Sequence, residues 1–559
     1  MENHSSDDQS RYKRHVDAIH NNTLLAPEKD HTSTKAPNYV TSSDQTSGMY
    51  RYGAIPKSEF QIFGENNSLE KDEMKDLHKK KKWWLATLIT GTSLIILFVF
   101  LYKTITYVES AFSRRNNELV NESCITVDHG YQCSPKISRY WGQYSPYFSV
   151  PSDISPDLPE QCQITFAQVL SRHGARDPTL HKTQRYNKLI EDIQSKATSY
   201  SDQFAFIKDF KYTLGADMLS RFGQKQMIDS GISFYNRYKD NSRKITPFIR
   251  ASGQTRVIES AQNWTQGFHK ARMHDLGSVD EGKYPYNILT ISEEAGSNNT
   301  LDHGLCREFE EGSFSEIGSS AKGIWASIFI PSIAARLNSN LPGVNFTSEN
   351  AIDLMSICPF HTVANELGHV SPFCNLFSED EWHAFDYYQT LSKYYEYSWG
   401  NPLGPTQGVG FTNELIARMT NKPVNDHTST NSTLDSNPET FPISEKTILY
   451  ADFSHDNTMI AVYSALGLFN STPPLSNTTL EEAKALKGFS TSWLVPFGGR
   501  AYFEKMKCAN TDEELVRTII NDRVVPPVSC KADAMGRCKL SDFISSLTFA
   551  QQGGNWDKC

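Results

Sequence analysis

The first 123 residues contain no cysteine, and all ten cysteines lie between Cys124 and Cys559. None of them has zinc-ligand spacing, and the chain has neither a P-loop nor a dinucleotide-binding glycine fingerprint. It also has no basic excess: the net charge is −9 over 559 residues, which argues against wholesale nucleic-acid binding. Residues 1–82 have few apolar clusters and no helical or strand periodicity, so they read as a disordered tail. Residues 83–102, WWLATLITGTSLIILFVFLY, carry no charge at all.

That last absence predicts a membrane anchor. The stretch is long enough to cross a hydrocarbon core as one helix, with Trp83, Trp84 and Tyr102 at the interfaces. Four lysines, Lys79 to Lys82, precede it, and only Lys103 follows closely. The positive-inside rule leaves the tail in the cytosol and sends the rest across the bilayer, a type II arrangement. A cleaved signal peptide fits poorly after 82 polar residues.

The cysteines agree with this topology, because an even number confined beyond the span suggests five disulfides in an oxidising compartment. Short gaps favour Cys124–Cys133, Cys358–Cys374 and Cys530–Cys538, while spacing leaves the other four open. The expected layout is tail 1–82, signal anchor 83–102, stem 103–123 and one large folded domain 124–559, outside the cell or in a lumen such as the vacuole. Asn121, Asn263, Asn298, Asn345, Asn431, Asn470 and Asn477 are glycan acceptors on that side. In the stem, Arg114-Arg115 reads either as a dibasic processing site or as two exposed arginines.

The chemistry gathers at three strand-to-helix junctions. Arg172-His173-Gly174-Ala175-Arg176-Asp177-Pro178 follows the strand-like run Ile164–Leu170. Ligands of open α/β sheets bind at that edge. Two guanidiniums there can hold a phosphate, and a histidine between them can attack its phosphorus. His455-Asp456-Asn457 follows Thr447–Phe453 and precedes a helical stretch ending near Gly467. Taken alone, that pair reads as helix capping by Asp456. Arg250 to Arg256 follows Ile245–Ile249 and leads into a helix from Val257 to Phe268. An arginine there adds to the positive end of the helix dipole. Together the junctions supply a nucleophile, several cations and a proton-donating carboxyl, enough for phosphoryl transfer without a metal or other cofactor.

Further strings carry a resemblance: GYQCSP (130–135), WGQYSP (141–146), LSRHGAR (170–176), NNTLDHG (298–304), NPLGPTQGVG (401–410), YADFSHDN (450–457) and NDRVVP (521–526). From Cys124 to Cys559 the chain resembles the histidine acid phosphatases, in their fungal phytase-like branch. The resemblance implies an α/β fold, a central mixed sheet flanked by helices with a smaller, mainly helical region. It implies His173 as the nucleophile that becomes phosphohistidine, Asp456 as the proton donor, and Arg172, Arg176, Arg256 and His455 as phosphate ligands. It also implies the disulfides Cys162–Cys508 and Cys306–Cys559. Since Asp456 must be protonated to act and an unperturbed Asp titrates near ~3.9, an acidic optimum is expected.

Two features depart from the family's phytases. Asp177 stands where they have an aromatic, and an acidic residue at the mouth repels a highly charged substrate. Of the pocket positions that phytases fill with lysine, Lys208 and Lys393 match two, while Gln203 and Ser392 stand at two others. Reduced positive charge weakens hexakisphosphate binding more than monoester binding. The expected function is therefore a membrane-anchored acid phosphatase acting on phosphate monoesters. The alternative is a 3-phytase or inositol polyphosphate phosphatase. A glycosylated cell-surface binding protein without turnover is disfavoured, because His173 and Asp456 are both present.

Overall fold

The apolar runs that read as strands form one mixed sheet. The structure is a computed structural model that describes Lys103 and residues 135–559, apart from 280–282, 366–368 and 510. The tail, the anchor 83–102, the stem beyond Lys103, Asn121 and the Cys124–Cys133 pair lie outside the described residues. Among the described residues no helix is long and apolar enough to cross a membrane.

The strands are β1 (Cys162–Arg172), β2 (Phe248–Ser252), β3 (Leu289–Ile291), β4 (Leu449–Ser454), β5 (Arg500–Cys508), β6 (Leu515–Ile520), β7 (Arg523–Val524) and β8 (Cys538–Lys539). Their order is β3-β2-β4-β1-β5-β6-β7, with β8 beside β6. The first four run parallel and the rest antiparallel. The longer helices are α1 (Leu180–Lys196), α2 (Arg221–Arg237), α3 (Thr255–His274), α4 (Ile317–Asn340), α5 (Ser348–Val363), α6 (Glu379–Tyr397), α7 (Val409–Thr420) and α8 (Asp456–Ala465).

Side chains alternate across each strand, so the sheet buries both faces. Ala167, Val169, Leu449, Ala451 and Phe453 pack against Phe234 of α2 and Trp264 and Phe268 of α3. Phe166, Leu170 and Tyr450 belong to the core that holds α6, α7 and α8 on the other side. A separate core joins α1, α4 and α5 to Trp382 and Phe385 of α6, forming the smaller helical region. Trp264 is fully buried, and truncating such a side chain to Ala costs about 3–5 kcal/mol.

Cys162–Cys508 ties β1 to β5 at paired positions, and Cys306–Cys559 fastens the last residue of the chain. Cys358–Cys374 and Cys530–Cys538 are the two local bridges.

The boundaries differ from the sequence reading in ways that matter for the site. Arg172 is the last residue of β1 rather than part of the turn. Arg250 lies inside β2, fully buried, bonded to Asp452 at 2.9 Å and Glu414 at 2.6 Å, so only Arg256 of that segment sits at a helix start. Asp456 opens α8, with His455 as its cap residue and no side-chain capping bond. Of the glycan acceptors, Asn345 and Asn470 are exposed, while Asn263, Asn298, Asn431 and Asn477 are partly buried.

Candidate active site

The neighbouring parallel strands β2, β4 and β1 end side by side, and the three junctions meet at their carboxyl edge. The main-chain N–H of His173 donates to the Ser454 carbonyl at 3.2 Å, joining the first junction to the second. Gly174 allows the turn that follows. A Cβ there would lie 2.5 Å from the Gly223 carbonyl oxygen of α2.

His173 is buried. Its Nδ1 lies 2.8 Å from the Gly174 carbonyl. A carbonyl can only accept, so Nδ1 carries the proton and Nε2 keeps its lone pair. Burial, then Arg172, Arg256, Arg176 and His455, hold the imidazole well below its usual pKa. This favours the neutral ring, the form a nucleophile needs.

The cations surround it. Arg172 donates through Nη1 to the Gln143 and Val495 carbonyls, stacks over Phe497 at 4.7 Å, and reaches Asp456 through Nη2 at 3.3 Å. Arg176 donates to the Asp177 carbonyl at 2.7 Å. Arg256, in the first turn of α3, lies 3.4 Å from Asp217. Burial pushes both Arg172 and Arg256 down to about 10. His455 faces the His173 ring at 5.8 Å and bonds Glu293 through Nε2 at 2.9 Å.

Asp456 does not cap its helix. It bonds Lys393 of α6 at 2.7 Å through one oxygen and faces Arg172 through the other. Burial pushes this carboxyl up, but Arg172 and Lys393 outweigh it and hold it well below the usual range. Arg172, Arg176, Arg256, Lys393, His455 and Asp456 line a cleft of about 410 Å³. An adjoining cavity of about 640 Å³ shares Lys182 and Lys393 with it and adds Lys322.

Two expectations about the pocket are corrected. Lys208 is exposed and does not line the cleft; its short 3-10 helix, Asp202–Asp209, turns Phe204 and Ile207 inward and leaves Lys208 facing solvent. Asp177 does not line the cleft either; its carboxyl accepts from the Gly215 main chain. Gln203 is exposed and donates to the Asn375 carbonyl, and Ser392 bonds Glu396 at 2.7 Å.

The structure brings in residues the sequence reading missed. Lys182 stands in the first turn of α1, six residues after Arg176, and that proximity was a usable signal. Lys322 is remote in sequence from every motif, and Glu293 belongs to none, although it precedes the NNTLDHG string by only a few residues.

The chain belongs to the histidine phosphatase superfamily (branch 2), which it matches over residues 163–521. It is a phosphoric monoester hydrolase. Phytase A of Aspergillus fumigatus is 50% identical over 469 residues, covering 83% of this chain and all of that one. Phytase A of Aspergillus oryzae is 52% identical over 442 residues, 78% of this chain and 94% of that one. Among solved structures, the phytase from D. castellii shares the fold with a TM-score of 0.61 at 23% identity, over 76% of this chain and 87% of its own.

Proposed function

We propose that this chain removes phosphate from inositol polyphosphates, phytate included, through a phosphohistidine at His173. The observation that carries the substrate class is the cavity beside the cleft. Lys182, Arg185, Lys322 and Lys393 line it. Arg185 and Lys322 pair with Glu349, Asp353 and Glu396 of the same wall. Lys182, bonded to the Tyr144 hydroxyl, and Lys393 stand where the cavity joins the cleft and can meet a second phosphate, which a simple monoester does not carry. The Phytase A relatives support the same choice over the broad acid phosphatase expected from sequence.

In this mechanism Arg172, Arg176, Arg256 and His455 hold the phosphoryl oxygens. His173 Nε2 attacks phosphorus in line, and the P–O bond breaks with its electron pair on the leaving alkoxide. Asp456 gives that oxygen its proton. Bound phosphate puts negative charge beside the carboxyl and counters Arg172, raising its hold on a proton. Water then attacks phosphohistidine, returning a proton to Asp456 and freeing phosphate and Nε2.

The test is the ratio of kcat/KM for phytate to that for a simple monoester, across acidic pH. A phytate preference that falls in Lys182→Met supports the proposal. A preference for the simple monoester contradicts it.

We further propose that residues 83–102 anchor the chain with the catalytic domain on the luminal or external side, carrying N-linked glycans. The support is the uncharged span behind four lysines and the disulfides of the domain. Activity that sediments with membranes and becomes soluble on deletion of 83–102 is the expected result; sedimentation unchanged by the deletion refutes it.

A further inference from the structure

Arg172 is held from behind by two carbonyls, those of Gln143 and Val495. Gln143 belongs to the single turn Gly142–Tyr144, and Val495 ends the short helix Thr491–Leu494. Both pieces are fastened to α6 by the same carboxylate. Asp386 accepts from the Gly142 N–H at 3.1 Å through Oδ1 and from the Ser490 hydroxyl at 3.1 Å through Oδ2. Ser492 bonds it as well.

One turn along α6, Gln143 donates to Gln389 at 3.0 Å, and the Thr491 N–H donates to Thr390 at 3.1 Å. A further turn along, Lys393 reaches Asp456. Residues 386, 389, 390 and 393 share one face at helical spacing. Gly142 lies flat against that face at φ +61°, where a Cβ would come within 2.4 Å of Gln389.

We propose that Asp386 is a positioning residue for phosphoryl transfer, its carboxylate clasping the two turns whose carbonyls aim Arg172 into the cleft. This rests on the reading that Arg172 holds the transferring phosphoryl group. An ionised carboxylate matches three donors, whereas a protonated one must turn one oxygen into a donor and loosens the clasp.

The charged and titratable groups around Asp386 are His383 on its own helix, Arg139 and Tyr140 from the preceding turn, and Glu481, Glu482 and Lys484 opposite. All line one cavity of about 270 Å³. Burial pushes the Asp386 carboxyl up to about 6, against the pull of the Ser492, Ser490 and Gly142 donors. The clasp therefore changes state within the range where an acid phosphatase works.

The test uses the full chain with Asp386→Asn, measuring kcat and KM separately on a simple monoester from pH 4.5 to 7. Asparagine imitates the protonated acid, so the deficit should depend on pH. Loss of a charge-assisted bond behind Arg172 predicts kcat about tenfold below wild type at pH 7, under about twofold at pH 4.5, and a smaller change in KM. His383→Gln should keep the pH-dependent step, and Ser490→Ala should move it to higher pH. An equal deficit at every pH, no deficit, loss of the step in His383→Gln, or an unmoved step in Ser490→Ala overturns the proposal. Ser490→Ala keeps the test open should Asp386→Asn not fold. All outcomes are ratios to wild type, so loss of activity in His173→Ala tests the underlying reading separately.

Discussion

Lys393 is the residue through which the proton donor can be tuned from outside. Its ammonium lies 2.7 Å from one oxygen of Asp456, and both side chains are largely buried. Burial alone would push the Asp456 carboxyl up, and it is Arg172 and Lys393 that reverse this. An opposite charge at such range lowers a carboxyl by about 1–3 pH units, each worth about 1.4 kcal/mol. Replacing Lys393 with Met removes one of the two charges and keeps most of the volume, so burial regains weight. The carboxyl should then hold its proton to a higher pH.

The assay is kcat against pH on a simple monoester, because kcat reports the carboxyl in the enzyme–substrate complex. The alkaline limb should move up and the acid plateau should change little. For phytate, KM should rise as well, since the same ammonium lines the adjoining cavity. An alkaline limb that stays in place, or moves to lower pH, would refute the role of Lys393 and with it the assignment of Asp456 as proton donor.

Two other predictions concern the frame of the site. Gly174→Ala sets a Cβ against the Gly223 main chain, which cannot swing aside as a side chain would, so His173 is displaced. Misplacement by about 1 Å costs roughly 100-fold in rate, and a variant with near wild-type kcat contradicts this account. Stability should also depend on pH through the buried titratable groups. Burial holds Asp386 up at about 6, and burial with Glu414 holds Asp435 up at about 7. Both keep protons that the unfolded chain loses near pH ~4, so their stabilisation is complete below that pH and is lost as pH rises through about 6 and 7. Asp452 acts in the opposite sense. Burial pushes it up, but Arg250 and Arg418 hold it low, so its contribution is lost as pH falls below the ordinary carboxyl range. His173, held low by burial and the arginines, also loses its contribution as pH falls below ~6.5, so the buried acids are read by difference. Asp435→Asn should raise Tm relative to wild type more at pH 8 than at pH 5, and an equal change at both excludes this account.

Much of the site was legible because its chemistry sits next to the strands that position it. A run such as Ile164–Leu170 marks a strand, and the side chains just past its end must lie at the sheet edge. That placed His173, Arg176, His455 and Asp456 without reference to tertiary structure. Of the partners that tune these groups, Lys393 was reached only through the family resemblance, and the others were not legible because they arrive from elsewhere in the chain. Glu293 reaches His455 across 162 residues, and Gln143 reaches Arg172 across 29. Lys208 misled because a short 3-10 helix decides its direction by which neighbours it buries, and Phe204 and Ile207 take the inward positions. Asp177 misled because a residue in a turn can bond a loop remote in sequence, here at Gly215 beyond α1, rather than face the cleft. Arg250 lies so near Arg256 in sequence that only the strand boundary separates a core ion pair from the arginine proposed to bind phosphate.

The central claim is a covalent bond between phosphorus and His173. Phosphohistidine survives alkali, so the direct measurement is to mix the enzyme with substrate, quench rapidly in base, and locate the phosphoryl group by mass spectrometry of the peptide spanning residues 170–176. The account predicts a phosphorylated His173 that appears with substrate, decays as phosphate is released, and is absent in His173→Ala along with activity. Turnover in His173→Ala at the wild-type rate, or a phosphoryl group trapped on another side chain, would contradict it.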